Sequence, residues 1–189
     1  MDFPFAFVRP RSPSPYHAVE IVTAVLVAGC VLAFGLSAKT LVAAFFCAVL
    51  VTVSAIDIAQ RIIPNRIVLP AAAIVLVANT AIDPSPQWIL GAVGACGFLL
   101  VAALVYPAGM GMGDVKLALL MGAALGRTVP VALMAGMLAA VIPSLFLVVR
   151  YGAKGRKMGI PFGPFLAIGS IVALFWGAGI LDAYLSTLH

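Results

Sequence analysis

The chain alternates long apolar runs with short breaks that contain polar residues, glycine or proline. All but a short fifth run have the length that a bilayer core requires of an α-helix, about 17 to 25 residues. Seven spans are predicted, with boundaries uncertain by about 2 to 4 residues: 18–36, 40–58, 66–82, 87–107, 114–126, 128–149 and 164–186. The pattern therefore predicts an all-α fold, a polytopic transmembrane helical bundle.

The composition supports the same class. Of the 189 residues 64% are apolar and only 9% are charged, with a mean hydropathy of +1.20, which leaves too little polar surface to coat a soluble globule. We expect one transmembrane domain over residues 18–189. Residues 1–17, with four prolines and two arginines, have neither a helical nor a strand period, and we expect them to form a mobile cytoplasmic tail.

The lysines and arginines predict an orientation, because basic residues concentrate in cytoplasmic loops. With seven spans, Lys39 and Arg127 lie on one side. The amino-terminal side receives the other nine basic residues, Arg9, Arg11, Arg61, Arg66, Lys116, Arg150, Lys154, Arg156 and Lys157. The amino terminus is therefore predicted to be cytoplasmic. If the fifth segment turned back without crossing, the count would be six against five and the bias would vanish.

The net charge of +5 follows from this asymmetry. We interpret the basic segment from Arg150 to Lys157 as a cluster that faces membrane lipid, and we expect no nucleic-acid partner.

Two of the six acidic residues, Asp57 and Asp114, are predicted near the cytoplasmic face. Asp57 lies 17 residues after Thr40, about 26 Å along a helix, and Asp114 lies 13 residues before Arg127, about 20 Å. Asp114 is then submerged by about 10 Å in an apolar core of about 30 Å. Carboxylates at such depth usually serve a function, although a helix N-cap at Asp114 and a polar helix end at Asp57 are structural alternatives.

The segment Gly109-Met110-Gly111-Met112-Gly113 leads into Asp114. Glycines at this spacing disfavour a helix and predict a loop. Loop backbone at membrane depth is tolerated only when protein covers it or when it lines a watery cavity. The sequence thus predicts a cytoplasmic vestibule that reaches Asp114.

Two carboxylates that share a proton can hydrolyse a peptide without a metal or another cofactor. His17 and His189 lie at opposite ends of the chain, so neither a zinc cluster nor a Ser-His triad is expected. We assign Asp114, at a helix start, as the general base and Asp57, at a helix end, as the acid. A transporter that uses the acids to bind a cation or relay protons is an alternative.

Three segments resemble a known family. Gly111-Met112-Gly113-Asp114-Val115-Lys116 resembles the Gly-x-Gly-Asp signature of intramembrane aspartyl proteases, in the form found in type IV prepilin peptidases. The segment from Asp57 to Asn65 is similar to the one that carries the first catalytic aspartate of that family. The segment from Gly159 to Ala167 resembles its Pro-Phe-Gly-Pro element.

The resemblance implies an endopeptidase of the prokaryotic inner membrane that removes the short basic leader of pilin-like precursors. Cleavage would occur at the cytoplasmic face, after a glycine and ahead of the apolar stalk helix, for type IV pili or type II secretion. Preflagellins are alternative substrates. Asp57 and Asp114 would be catalytic. The surrounding loops would contribute Gly111, Gly113, Pro64, Asn65, Pro161, Phe162, Gly163 and Pro164.

Two of these loops allow a second interpretation. Pro64-Asn65 could simply cap the turn into the third helix. The prolines of residues 161–164 interrupt helix formation, and the segment is either an extended strand that pairs with substrate or a plain helix entry.

The long members of the family carry paired Cys-x-x-Cys motifs in an amino-terminal half that N-methylates the mature pilin. Here Cys30, Cys47 and Cys96 are isolated within predicted spans, where we expect buried apolar residues. The sequence therefore resembles a short form, for which no methyltransferase activity, zinc or S-adenosylmethionine is expected. The oligomeric state is left open.

Overall fold

The computed structural model describes residues 14–106, 110–151 and 161–187. Within these ranges every regular element is a helix. Its seven α-helices are α1 (Ser14–Phe34), α2 (Ala38–Gln60), α3 (Asn65–Ile82), α4 (Gln87–Val105), α5 (Met112–Leu125), α6 (Val129–Tyr151) and α7 (Gly163–Ser186). Each boundary lies within four residues of its prediction, so the expected all-α bundle of about seven helices is confirmed. Residues 14–17 of the expected tail belong to α1, and residues 1–13 lie outside the described part.

Six stretches of the described residues are long and apolar enough to cross a membrane. Five of them are α1 to α4 and α7. The sixth, Met112–Phe146, combines α5 with most of α6 in one apolar run of 35 residues. Gly126 divides this run, because its backbone has φ +53° and a short 3-10 turn, Gly126–Thr128, follows. A left-handed φ is accessible to glycine at little cost and ends the helix at that point.

Consecutive helices run in opposite directions. Gly91, near the start of α4, packs against Gly122 at the end of α5, so these two helices are antiparallel. Gly136 of α6 packs against Leu166 of α7, and Gly169 packs against Ala132, which makes that pair antiparallel as well. Helix α5 thus runs back along α4 as one continuous helix.

Helix α5 lies at the centre of the bundle. Nine of its 14 residues are buried, including Leu117, Leu120 and Met121, which are at most 1% exposed. At 1.5 Å per residue α5 is about 21 Å long, well short of an apolar core of about 30 Å. Neighbouring helices cover this short helix, so its ends can lie inside the membrane without facing lipid.

A polar contact fixes the position of α3 against α5. The buried side chain of Asn79 donates from Nδ2 to the backbone oxygen of Ala123 at 2.9 Å. In an apolar bundle a satisfied amide is far more favourable than an unpaired one, so this bond sets the register of the two helices.

The three cysteines were expected to be buried apolar residues. This is confirmed for Cys30 of α1 and Cys47 of α2, which are fully buried free thiols, whereas Cys96 is partly buried. The Sγ atoms of Cys30 and Cys47 lie 3.9 Å apart, a contact that the sequence did not predict because the two residues belong to different helices. Both act as small apolar side chains at a close helix contact.

Close packing of α4 on α5 requires glycine at position 122. A Cβ atom there would collide with the backbone carbonyl of Gly91, which cannot move without shifting α4. We predict that Gly122→Ala lowers the free energy of unfolding by about 1–3 kcal/mol, as overpacking of a core does. Thermal melting of the purified protein in detergent measures the effect.

Gly97→Ala is the matched control, because a Cβ at Gly97 of α4 meets nothing within 4 Å. Alanine also has the higher helix propensity, so this variant should melt at or slightly above the wild-type temperature. Equal melting temperatures for the two variants would contradict the close α4–α5 contact.

Candidate active site

Asp57 lies in the last turn of α2 and is only 5% exposed. Its Oδ2 atom accepts a hydrogen bond from the backbone N–H of Gly163, the first residue of α7, at 3.0 Å. This bond spans 106 positions of sequence. It joins the end of α2 to the start of α7 and holds one oxygen of the carboxylate in a fixed position.

Helix α2 ends at Gln60, three residues after Asp57, and the next residue has a left-handed backbone conformation. Arg61 has φ +54°, and its N–H donates to the backbone oxygen of Asp57 at 2.8 Å. Glycine is the usual residue in this conformation. Because an arginine occupies the position here, the sequence does not predict the turn. Pro64 then caps α3, and its backbone oxygen accepts the N–H groups of Ile67 and Val68. The turn into α3 is thus closed within four residues.

Asp114 is the third residue of α5 and is 8% exposed. Its Oδ2 atom accepts from the backbone N–H of Gly111, the N-cap residue, at 3.3 Å. Asp114 is therefore not the N-cap but the residue whose side chain reaches back to it, as the acidic partner in a capping box does. The predicted loop was too long at this point, because α5 already begins at Met112.

Gly113 lies inside α5, where its lack of a side chain allows a close contact. A Cβ atom at this position would lie 2.8 Å from Cβ of Ile63, a buried residue of the α2–α3 turn. Ile63 therefore packs directly on the first turn of α5. The sequence analysis missed this residue, since an isoleucine beside a proline carries no signal of a site.

The contact between Ile63 and Gly113 brings the end of α2 and the start of α5 to the same end of the bundle. The carboxyl groups of Asp57 and Asp114 are close enough to interact electrostatically. Each also accepts a backbone N–H from the start of a helix, α7 for Asp57 and α5 for Asp114. Helix electrostatics therefore no longer distinguishes the two acids, and the assignment of Asp114 as base and Asp57 as acid loses its basis.

Asn65 and Lys116 form a second link between α3 and α5. Nζ of Lys116 donates to Oδ1 of Asn65 at 2.9 Å on the exposed surface. The sequence analysis expected Pro64-Asn65 to cap α3 or to meet substrate. Pro64 does cap α3, and a contact with substrate stays a prediction.

The segment of residues 161–164 enters a helix. Phe162 has helical backbone angles, φ −83° and ψ −27°, and caps α7, which begins at Gly163 with Pro164 in its first turn. Of the two interpretations of this segment, the helix entry is the one observed for Phe162 to Pro164. Proline fits the first turn of a helix, where its missing N–H is not needed. Phe162 is partly buried and packs on the core, beside Pro161.

Within the described ranges, no group of three or more His, Cys, Asp or Glu side chains is positioned to hold a metal ion. The predicted vestibule stays a prediction, because residues 107–109 and 152–160 lie outside those ranges.

Comparison with known proteins gives one consistent family. A model of the type IV leader peptidase family matches residues 44–148, which contain both Asp57 and Asp114. A prepilin leader peptidase/N-methyltransferase of Bacillus subtilis strain 168 is 35% identical over 178 residues, covering 90% of this chain and 69% of the relative.

Proteins of the same name from Xanthomonas campestris pv. campestris and Aeromonas salmonicida are 33% and 32% identical, covering 90% and 92% of this chain. The chain spans 62% of the length of each of these two. No solved structure matches it. With a family match over more than half of its length and these identities, the chain belongs to the type IV leader peptidase family.

Proposed function

We propose that the protein is a membrane-embedded aspartyl endopeptidase that removes the leader from type IV prepilin-like precursors. The observation that carries this proposal is the pair of buried carboxylates, Asp57 and Asp114, which come from different helices, lie at the same end of the bundle and are close enough to interact electrostatically. Membership of the type IV leader peptidase family, and the name prepilin leader peptidase carried by its relatives, support the substrate class.

The reaction needs one ionised and one protonated carboxyl group. The ionised group removes a proton from water as the water oxygen attacks the scissile carbonyl carbon, and the protonated group donates to the developing oxyanion. The tetrahedral intermediate then collapses, and the amine leaves with a proton from the acids. The pair titrates as one unit, so we assign no fixed order to Asp57 and Asp114.

The two backbone hydrogen bonds have a positioning role in this mechanism. The N–H of Gly163 fixes Oδ2 of Asp57, and the N–H of Gly111 fixes Oδ2 of Asp114. A carboxylate with one fixed oxygen presents the other in a defined direction, as catalysis requires of its acid and base.

The end of the bundle that carries the acids faces the cytoplasm in this proposal. Arg61, Arg66 and Lys116 lie at this end among the described residues, whereas Lys39 and Arg127 lie at the opposite end. This distribution agrees with the preference of basic residues for the cytoplasmic side. A precursor whose leader remains in the cytoplasm would reach the acids from that side.

Replacing either acid tests the mechanism. We predict that Asp57→Asn and Asp114→Asn each slow leader removal by at least about a hundredfold, because an amide can act neither as a general base nor as a carboxylic acid. Co-expression with a prepilin, followed by electrophoresis of the precursor and the shortened product, measures the cleavage. Membrane levels of each variant are compared by immunoblotting.

Glu20→Gln is the matched control. Glu20 lies on α1 toward the same end of the bundle, but its side chain is 73% exposed and pairs with His17 at 3.5 Å. This variant should cleave at the wild-type rate. Leader removal that survives both aspartate substitutions would refute the aspartyl mechanism. A wild-type chain that cleaves no prepilin or preflagellin would refute the proposed function.

The contact of Gly163 with Asp57 gives a second test. A Cβ atom at Gly163 would lie 2.8 Å from Oδ2 and 3.3 Å from Cγ of Asp57, so alanine would displace the carboxyl group. We predict that Gly163→Ala lowers the cleavage rate by about tenfold or more, since misplacement of about 1 Å can cost a hundredfold. Initial rates with purified precursor in detergent provide the measurement.

Gly179→Ala on the same helix is its control, because a Cβ there meets nothing within 4 Å. This second variant should retain wild-type activity. If both alanine variants cleaved equally fast, the Gly163 contact would have no part in positioning Asp57.

A further inference from the structure

An apolar groove of about 670 Å³ runs between α4 and α6, away from the two acids. Its walls include Leu90 and Phe98 of α4 and Met134 and Leu138 of α6, whose side chains are 55–68% exposed. The groove therefore opens sideways, toward the membrane. Gly94 lies in its wall and leaves space, because a Cβ there would meet nothing within 4 Å.

The depth of Asp114 relative to this groove follows from the contact between α4 and α5. These helices are antiparallel, with Gly91 level with Gly122. Asp114 precedes Gly122 by eight residues, and Leu99 follows Gly91 by eight, so Asp114 lies level with Leu99. Phe98, which directly precedes Leu99, is the last residue of α4 that lines the groove.

The same argument applies to Asp57 through α6 and α7. Gly136 packs against Leu166 in an antiparallel pair, which puts Gly163 level with residue 139. Gly163 is the residue that holds Asp57. The last residue of α6 that lines the groove is Leu138. Both acids therefore lie at the depth where the groove ends.

We propose that this groove seats the apolar helix of the membrane-anchored precursor. The proposal rests on the proposed function and adds the binding site for its substrate. From Gln87 to Phe98 the groove follows twelve residues of α4, about 16 Å, beginning at the end of the bundle opposite the acids. An apolar helix lying in the groove would end at the depth of the acids. The scissile bond of the precursor lies just ahead of this helix, so the bond would lie at the depth of the acids as well.

The end point of the groove favours this occupant over a lipid or a second copy of the chain. Lipid chains fill any open apolar groove in a bilayer, but nothing requires such a groove to stop level with two carboxylates. A contact between two copies likewise has no need of that depth. A substrate that is anchored directly beyond its cleaved bond does need it. Gly94 would let the substrate helix approach α4 closely, because a Cβ there meets nothing within 4 Å.

Filling the groove tests the proposal. We predict that Gly94→Leu lowers the cleavage rate of an intact precursor by about tenfold or more, because its side chain would occupy the seat of the substrate helix. Gly97→Leu, three residues along α4, is the control, since its Cβ also meets nothing within 4 Å and it does not line the groove. Both changes raise helix propensity, and melting temperatures check that both variants fold.

Photo-crosslinking gives a second readout that does not depend on turnover. In the Asp114→Asn variant, a benzoylphenylalanine at Phe98 should crosslink to the apolar helix of a bound precursor. The same probe at Val93, which is 63% exposed on α4 outside the groove, should not.

The outcomes separate this proposal from the proposed function. Wild-type cleavage by Gly94→Leu, while the aspartate variants are inactive, would overturn the groove and leave the peptidase intact. Crosslinks from Phe98 only to lipid, or only to a second copy of the chain, would also overturn it.

Discussion

Burial of two carboxylates in an apolar bundle is the constraint on which the arrangement of the helix ends depends. An unpaired carboxylate at this depth is costly, and the cost falls when backbone N–H groups face it. The free N–H groups at the start of a helix are the donors that the backbone offers for this purpose. Asp57 uses the start of α7 and Asp114 the start of α5, so three helix ends must meet at one depth.

Small residues make this meeting of helix ends possible. Gly113 lets Ile63 of the α2–α3 turn reach the first turn of α5, and Gly163 brings α7 onto the Asp57 carboxylate. At the opposite end, Gly122 sets the depth of α5 against α4. A Cβ at Gly122 would push α4 away from α5, whereas a Cβ at Gly113 or Gly163 would displace the side chain of Ile63 or Asp57. The glycines therefore matter as points of close contact more than as points of flexibility.

The sequence predicted the helices and the two acids because both depend on local signals. Apolar run length sets a transmembrane helix, and an aspartate in such a run stands out whatever surrounds it. It did not predict the contacts between distant segments. The bond from Gly163 to Asp57, the packing of Ile63 on Gly113 and the bond from Asn79 to Ala123 each join residues that are far apart in the chain. The pattern of one helix carries no information about which neighbour it will meet.

The site is shared by two units of closely packed helices, α4 with α5 and α6 with α7, which belong to one continuous core. Helix α4 packs extensively on α5, and α6 on α7, whereas α4 and α6 meet over only a short length. Asp114 belongs to the first unit, and Asp57 is tied to the second through Gly163. Since residues of both α4 and α6 line the groove, an occupant of the groove would contact both units.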